Sequence, residues 1–197
     1  MSRVFARVRP ATLADVPSLV ALISSVDLSV GTFSGRGLVD STEDHLAARL
    51  AEILREETRS LLVAVDEPSG SIIGLLVAVR DEIGAIDLTP VLHISHLMVA
   101  AKHRRRGIGR TLLTAAVHLA DDLGVEHVVA TASSGSREAN RYLARVGFAP
   151  MVIQRVAPTS LLRRSLGMAE VPERMAVLRR ARLSRTAHGA RAVRRGA

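Results

Sequence analysis

The 197-residue chain contains no cysteine and no tryptophan, one tyrosine and three phenylalanines. Without thiols it can form no disulfide, no thiolate metal site and no cysteine nucleophile. With so few aromatics the core has to be built from Leu, Val, Ile and Ala, for which a hydrophobic content of 48% is sufficient. No apolar run approaches the ~18 residues of a membrane-spanning helix. The N-terminus, with Arg3, Arg7 and Arg9 close together, lacks the apolar stretch of a signal peptide. The expectation is a cytoplasmic protein with no membrane partner.

Lysine is nearly absent too: Lys102 stands against 26 arginines, a bias that fits coding rich in G and C. The net charge of +8 is unevenly placed. Residues 1–158 hold equal numbers of basic and acidic side chains, and residues 159–197 hold ten arginines against Glu170 and Glu173. Within that extension, Leu161, Leu162 and Leu166, then Pro172 followed by Met175, Leu178 and Ala181, predict short helices over 159–184. Residues 185–197 are mostly Ala, Gly and Arg with little to bury, and read as a flexible basic tail. Such a tail can bind nucleic acid or ribosomes by counterion release, but it has no aromatics for base stacking. A solvated extension is the favoured reading.

The most informative segment is LMVAAKHRRRGIGRTLL, residues 97–113. A strand ends at Val99, a basic turn follows, and a helix starts among glycines with Ile108, Leu112, Ala115, Ala116, Leu119 and Leu123 on one side. The first amides of a helix have no intrahelical acceptor, glycine lets an anion approach them, and the helix dipole adds positive potential. Arg104, Arg105, Arg106 and Arg110 reinforce the sign, so the segment reads as a phosphate cradle. A Walker loop needs Lys then Ser or Thr after its last glycine, and here Arg110 follows Gly109. The dinucleotide fingerprint needs a third small residue where Leu112 stands.

Arg104, Gly107 and Gly109, preceded by Leu97-Met98-Val99, resemble the signature of the GNAT superfamily of acyl-CoA-dependent N-acetyltransferases. The resemblance implies acetyl-CoA as cosubstrate. Its pyrophosphate would lie on the amides of Arg105, Arg106, Gly107, Ile108, Gly109 and Arg110, beside Arg104, and its pantetheine arm on the backbone of Met98 and Val99. A second family segment appears as Ala139-Asn140-Arg141-Tyr142-Leu143-Ala144-Arg145-Val146-Gly147-Phe148. Between and before these lie helices led by Thr12-Leu13-Ala14-Asp15, a capping-box pattern, and by His45 to Glu57. Strands are predicted over 60–65 and 71–79, joined by a Pro-Gly turn, and over 91–99, 125–132 and 148–156. Helices are predicted from 108 to Gly124 and over 136–146. This order implies the α/β (α+β) GNAT fold, a mixed and mainly antiparallel central sheet flanked by helices. The domain is read as 1–158, followed by 159–184 and 185–197.

By the same resemblance an amine acceptor attacks acetyl-CoA directly, without an acyl-enzyme, and Met98 or Val99 offers the oxyanion amide. His93 falls where the family places a base, often a Glu or His that can act through water. On a regular strand His93 shares a face with Ser95 and Leu97, and His96 points to the other side, so the two cannot share a pocket or a metal. No metal site is expected. Glu82 and Asp87 are weaker base candidates. The family's usual acid, a Tyr four residues before Gly147, is replaced by Leu143; Tyr142 is adjacent, about 100° away around the helix, and reads as a core residue, with a role as the acid as the alternative. Ser136 stands where the family commonly has Asn. Two functions are compatible with this: an N-acetyltransferase on a primary amine, or a catalytically weak acyl-CoA-sensing module with a basic tail. The loop from Leu28 to Asp44 is expected to shape the acceptor site, and the protein is read as a monomer or homodimer.

Overall fold

The computed structural model describes residues 6–25, 42–84, 86, 88–133, 135–153, 155 and 157–168. Residues 28–41 of the expected acceptor loop, Asp87, and the extension beyond Met168 lie outside them. The chain divides into Met1–Pro150 and Met151–Ala197. Among the described residues no helix is long and apolar enough to cross a membrane.

Five strands are hydrogen-bonded side by side in chain order: β1 (Ala6–Pro10), β2 (Arg59–Asp66), β3 (Ile72–Glu82), β4 (Pro90–Val99) and β5 (His127–Ala130). The first four run antiparallel, and β4 and β5 are parallel. A parallel pair requires a crossover, which α3 (Ile108–Asp122) supplies. The β2–β3 hairpin closes where expected, with Gly70 N–H donating to the Asp66 carbonyl at 2.8 Å. Residues Ile73 to Ala78 of β3 are buried without alternation because both faces of the sheet are covered.

On one face, Leu61, Val63, Leu75 and Val77 pack with Leu19, Val20, Leu22 and Ile23 of α1 (Val16–Ser25) and Leu50 of α2 (Glu43–Ile53). On the other, Leu62, Ala64, Leu76, Ala78, Leu92 and Ile94 pack with Ile108, Leu112, Leu113, Ala116 and Ala120 of α3. Tyr142 of α4 (Arg137–Arg145) and Phe148 join this second cluster. The other unit contains the short helix α5 (Thr159–Ser165). Gly74, near the start of β3, is what lets α3 lie close: a Cβ there would stand 3.0 Å from Leu112, 3.1 Å from Ile108 and 3.2 Å from the Met98 carbonyl.

Three elements differ from expectation. Strand β1 was not evident, because Arg7 and Arg9 alternate with Val8 on an edge strand that is only half covered. Strand β5 is four residues long instead of eight. Described residues from 148 to 155 form no strand; Pro150 has no N–H to give a ladder, which counters the β-branched run that follows it.

The predicted capping box at Thr12 is present and has an additional partner. The Asp15 carboxylate accepts from the Thr12 amide at 2.7 Å and hydroxyl at 3.0 Å, and from two Arg9 nitrogens at 2.7 and 2.8 Å. Asp15 thus ties β1 to the 3₁₀ turn Leu13–Asp15 that leads into α1. The Arg9 guanidinium holds the Asp15 carboxyl well below its ordinary value of 3.8, outweighing the opposing effect of burial. A carboxylate with a depressed folded-state pKa stabilises the fold above its unfolded pKa and loses that contribution as pH falls through the folded value. Asp15→Asn is therefore expected to cost about 1–3 kcal/mol at pH 7 in urea denaturation, with the gap to the parent narrowing steadily below pH 3.8. A gap that does not change with pH would show that Arg9 contributes nothing.

Candidate functional site

Strands β4 and β5 form a fork. They pair from Val91–His127 to Ile94–Ala130, and the amide of Thr131 still donates to the Ile94 carbonyl at 3.0 Å. Beyond that point β5 has ended while β4 runs on to Val99. One edge of His96–Val99 stays paired with β3 and the other faces the opening. Met98 and Val99 thus present backbone groups at the fork, although the Val99 carbonyl is partly occupied by Arg104 Nε at 3.3 Å.

The cradle lies just past the end of β4. After a 3₁₀ turn at Ala101–His103, the chain is extended at Arg104 and left-handed at Arg105 (φ 59°) and Gly107 (φ 88°). Left-handed backbone at a non-glycine residue costs about 1–3 kcal/mol, so the turn at Arg105 is held by its surroundings. Gly107 is the N-cap of α3 and brings no side-chain acceptor; the first helical bond runs from Thr111 N–H to the Gly107 carbonyl at 3.0 Å. The amides of Gly107, Ile108, Gly109 and Arg110 therefore have no intrahelical acceptor. Arg104, Arg105, Arg106 and Arg110 are all exposed around them, and Ile108 is buried and anchors the turn. Donors without acceptors, surrounded by fixed positive charge, fit a diphosphate.

The histidines require a correction. The register between β3 and β4 shifts at Ser95, so that Val77 faces His96 and Val79 faces His93. Ser95 is an extra residue, a β-bulge, and it restores the parity that a regular strand would break. His93 and His96 consequently lie on one face of the sheet, the α1–α2 side, and Leu97 lies on the other with Ile94. Sequence spacing alone does not reveal a bulge. His93 Nε2 is 2.7 Å from Thr131 Oγ1, and its Nδ1 is 3.9 Å from an Asp81 carboxylate oxygen. His96 Nδ1 is 3.0 Å from Ser95 Oγ, which donates in turn to the Val77 carbonyl. Burial lowers the pKa of His96, and the neighbouring His93 lowers it further. Glu82 is exposed at the end of β3. Among the described residues no cluster of three or more His, Asp or Glu could hold a metal ion.

Tyr142 lies on the α3 side. Its hydroxyl is buried, has no hydrogen-bond partner, and would lie 3.3 Å from a Cβ at Gly109. Burial raises its pKa, with Arg110 and Arg145 opposing, so the phenol stays protonated. Ser136 caps α4 through the Ala139 amide at 3.3 Å. Asn140, which the sequence reading did not single out, donates to the carbonyls of Ser133 and Ser136 at 2.7 and 2.8 Å and holds the loop entering α4. A groove of about 410 Å³ between α3, Val128 and Phe148 shares Arg110 with the cradle but lies across the sheet from the histidines.

The profile of the acetyltransferase (GNAT) family matches residues 30–148, more than half of the chain and both segments of the site. The chain belongs to the GNAT acetyltransferase family. It is an acyltransferase, and the family's cosubstrate is acetyl-CoA. Solved structures with the same fold include a transcriptional regulator from Bacillus halodurans C-125 (18% identity, TM-score 0.64, covering 78% of this chain and 99% of that one). Another is the aminoglycoside N-acetyltransferase AAC(6')-Iy in complex with CoA (17%, 0.63, 78% and 94%). A third is a ribosomal-protein-alanine N-acetyltransferase from Brucella melitensis biovar Abortus 2308 (16%, 0.62, 78% and 99%). At these identities they establish the fold and leave the acceptor open. Comparison with curated proteins found no match.

The orphaned hydroxyl of Tyr142 yields a stability test. Removing a buried polar group that has no partner relieves its desolvation cost. Tyr142→Phe is expected to gain about 1 kcal/mol in urea denaturation of the ligand-free acetyltransferase. A loss of similar size would mean that the hydroxyl has a partner in solution.

Proposed function

We propose that this chain moves an acetyl group from acetyl-CoA to a primary amine by direct attack. The observation that supports this most is the set of acceptor-free amides at Gly107–Arg110, placed immediately beyond the open edge of β4. In this reading the diphosphate lies on the amides of residues 105–110, with Arg104, Arg105, Arg106 and Arg110 countering its charge. The pantetheine arm runs along the backbone of Met98 and Val99 into the fork, and an amide of that pair receives the oxyanion. His93, as base or relay, takes the proton that the amine loses on attack. Tyr142 is assigned to the wall of the cradle beside Gly109 rather than to proton transfer. The catalytic domain comprises residues 1–158, and 159–184 and 185–197 are read as a helical extension and a solvated basic tail.

The neighbours act on an aminoglycoside, on an amino sugar phosphate and on a protein alanine, by their names. All three classes offer a primary amine, which makes them the first acceptors to try. The second reading, an acyl-CoA sensor, is favoured only by Leu143, an apolar side chain at the place where the family's acid stands.

Coenzyme A is expected to raise the Tm of the parent chain and to leave that of Gly107→Glu unchanged, because a carboxylate at the N-cap repels the diphosphate. With an aminoglycoside, glucosamine 6-phosphate and a peptide with a free N-terminus as acceptors, thiol release should appear with at least one. For that acceptor, His93→Gln should lower kcat about 100-fold or more with little change in the KM for acetyl-CoA. Coenzyme A binding without turnover on any amine would favour the sensor. Equal protection of Gly107→Glu would remove the cradle from the account.

A further inference from the structure

Three adjacent strands place four polar side chains on one face at the base of the fork. Counting by register from Val79–His93–Val129, residues Asp81 of β3, His93 and His96 of β4, and Thr131 just past β5 all project toward the α1–α2 side. Thr131 belongs to this set because it is two residues beyond Val129, and its amide makes the last bond before the strands separate. The His93 ring spans the group from one side to the other. Its Nε2 meets Thr131 Oγ1 at 2.7 Å, and its Nδ1 stands 3.9 Å from Asp81 Oδ2. The other Asp81 oxygen accepts from the Glu82 amide at 2.8 Å, which fixes the carboxylate.

The charges select a tautomer. A carboxylate beside Nδ1 favours the hydrogen on Nδ1, although 3.9 Å is beyond hydrogen-bond length and the effect is one of field rather than of contact. With Nδ1 protonated, Nε2 carries the lone pair and must accept from the Thr131 hydroxyl. The group that faces the opening is then Thr131, which is exposed, and not the imidazole, whose side chain is 28% exposed.

We propose that Thr131 is the residue that exchanges protons with the substrates, that His93 is the base behind it, and that Asp81 is a positioning residue for the imidazole. The inference rests on the proposed acetyl transfer. As the amine nitrogen bonds to the thioester carbon, the carbonyl π pair moves onto oxygen. The amine proton passes, through a water in the fork, to Thr131 Oγ1 while the hydroxyl proton of Thr131 passes to His93 Nε2. When the carbonyl re-forms, the carbon–sulfur bond breaks and its electron pair leaves on sulfur. The imidazolium returns its proton to Oγ1, and Thr131 gives its own, through the same water, to the thiolate. The products are the acetamide and coenzyme A, with Thr131 and His93 restored and no acyl-enzyme formed.

The test uses the full chain with whichever amine is turned over, and coenzyme A binding measured in parallel. Thr131→Val should lower kcat about 100-fold and leave both the KM for acetyl-CoA and the Kd for coenzyme A within about threefold, and Thr131→Ser should recover most of the rate. Combining Thr131→Val with His93→Gln should cost no more than the worse single change, since the two act as a unit. Full turnover in Thr131→Val, or multiplicative losses in the double variant, would overturn the relay. Loss of coenzyme A binding by the parent chain would instead reject the proposed function. The nitrogen-15 resonances of the His93 ring in the resting protein decide independently of any acceptor. Nδ1–H with an accepting Nε2 is expected, and Nε2–H would overturn the proposal because that nitrogen could not take the threonine proton.

Discussion

The site depends on where the first turn of α3 is held. Its amides face outward without acceptors because Ile108 and Leu112 are drawn down onto the sheet, and they can descend that far because β3 carries no side chain at Gly74. Hydrophobic burial on the inner side of the turn therefore aims polar donors on its outer side. The left-handed residues Arg105 and Gly107 complete the arrangement by turning the chain from the end of β4 directly into the helix. The positive side chains add field, but the geometry comes from packing and from two backbone conformations.

The fork and the bulge are a second constraint on the same strand. Strand β4 serves two neighbours along β3 and β5, and it loses the second after Ile94 because β5 stops at Ala130. An extra residue at Ser95, next to that point, changes which side chains face which layer. Leu97 and Val99 keep to the α3 side, where they pack against the core, and His96 joins His93 on the face covered by α1 and α2. One inserted residue thus places two histidines on the same face of the sheet, and partial burial lowers the pKa of His96. The polar groups at the base of the fork and the amide donors beyond its tip then belong to opposite ends of one exposed backbone segment.

Much of this was legible in the sequence. The glycines at 107 and 109, the arginines before them and the 3.6-residue spacing of Ile108, Leu112 and Ala116 carry local physics, and they located the helix and its glycine-capped first turn. Strands β2 and β3 were legible because both are covered on two faces and read as unbroken apolar runs. Strand β1 was not, since half its side chains are arginines on an open edge. The pairing of His93 with Asp81 and Thr131 was hidden for a different reason. It joins positions 12 and 38 residues away through strand register, and a register shift leaves no mark in a single sequence. Asp81 and Thr131 were accordingly passed over, and the strand expected at 148–156 overvalued β-branched residues against the proline that precedes them.

The central claim, that unclaimed main-chain amides at the start of α3 grip the diphosphate of coenzyme A, is tested most directly by following backbone amide resonances during a coenzyme A titration. The account predicts that the largest shifts fall on Gly107, Ile108, Gly109 and Arg110 and that raising the salt concentration weakens binding without moving the shifts elsewhere. Saturation of the protein with those four resonances unmoved would contradict it.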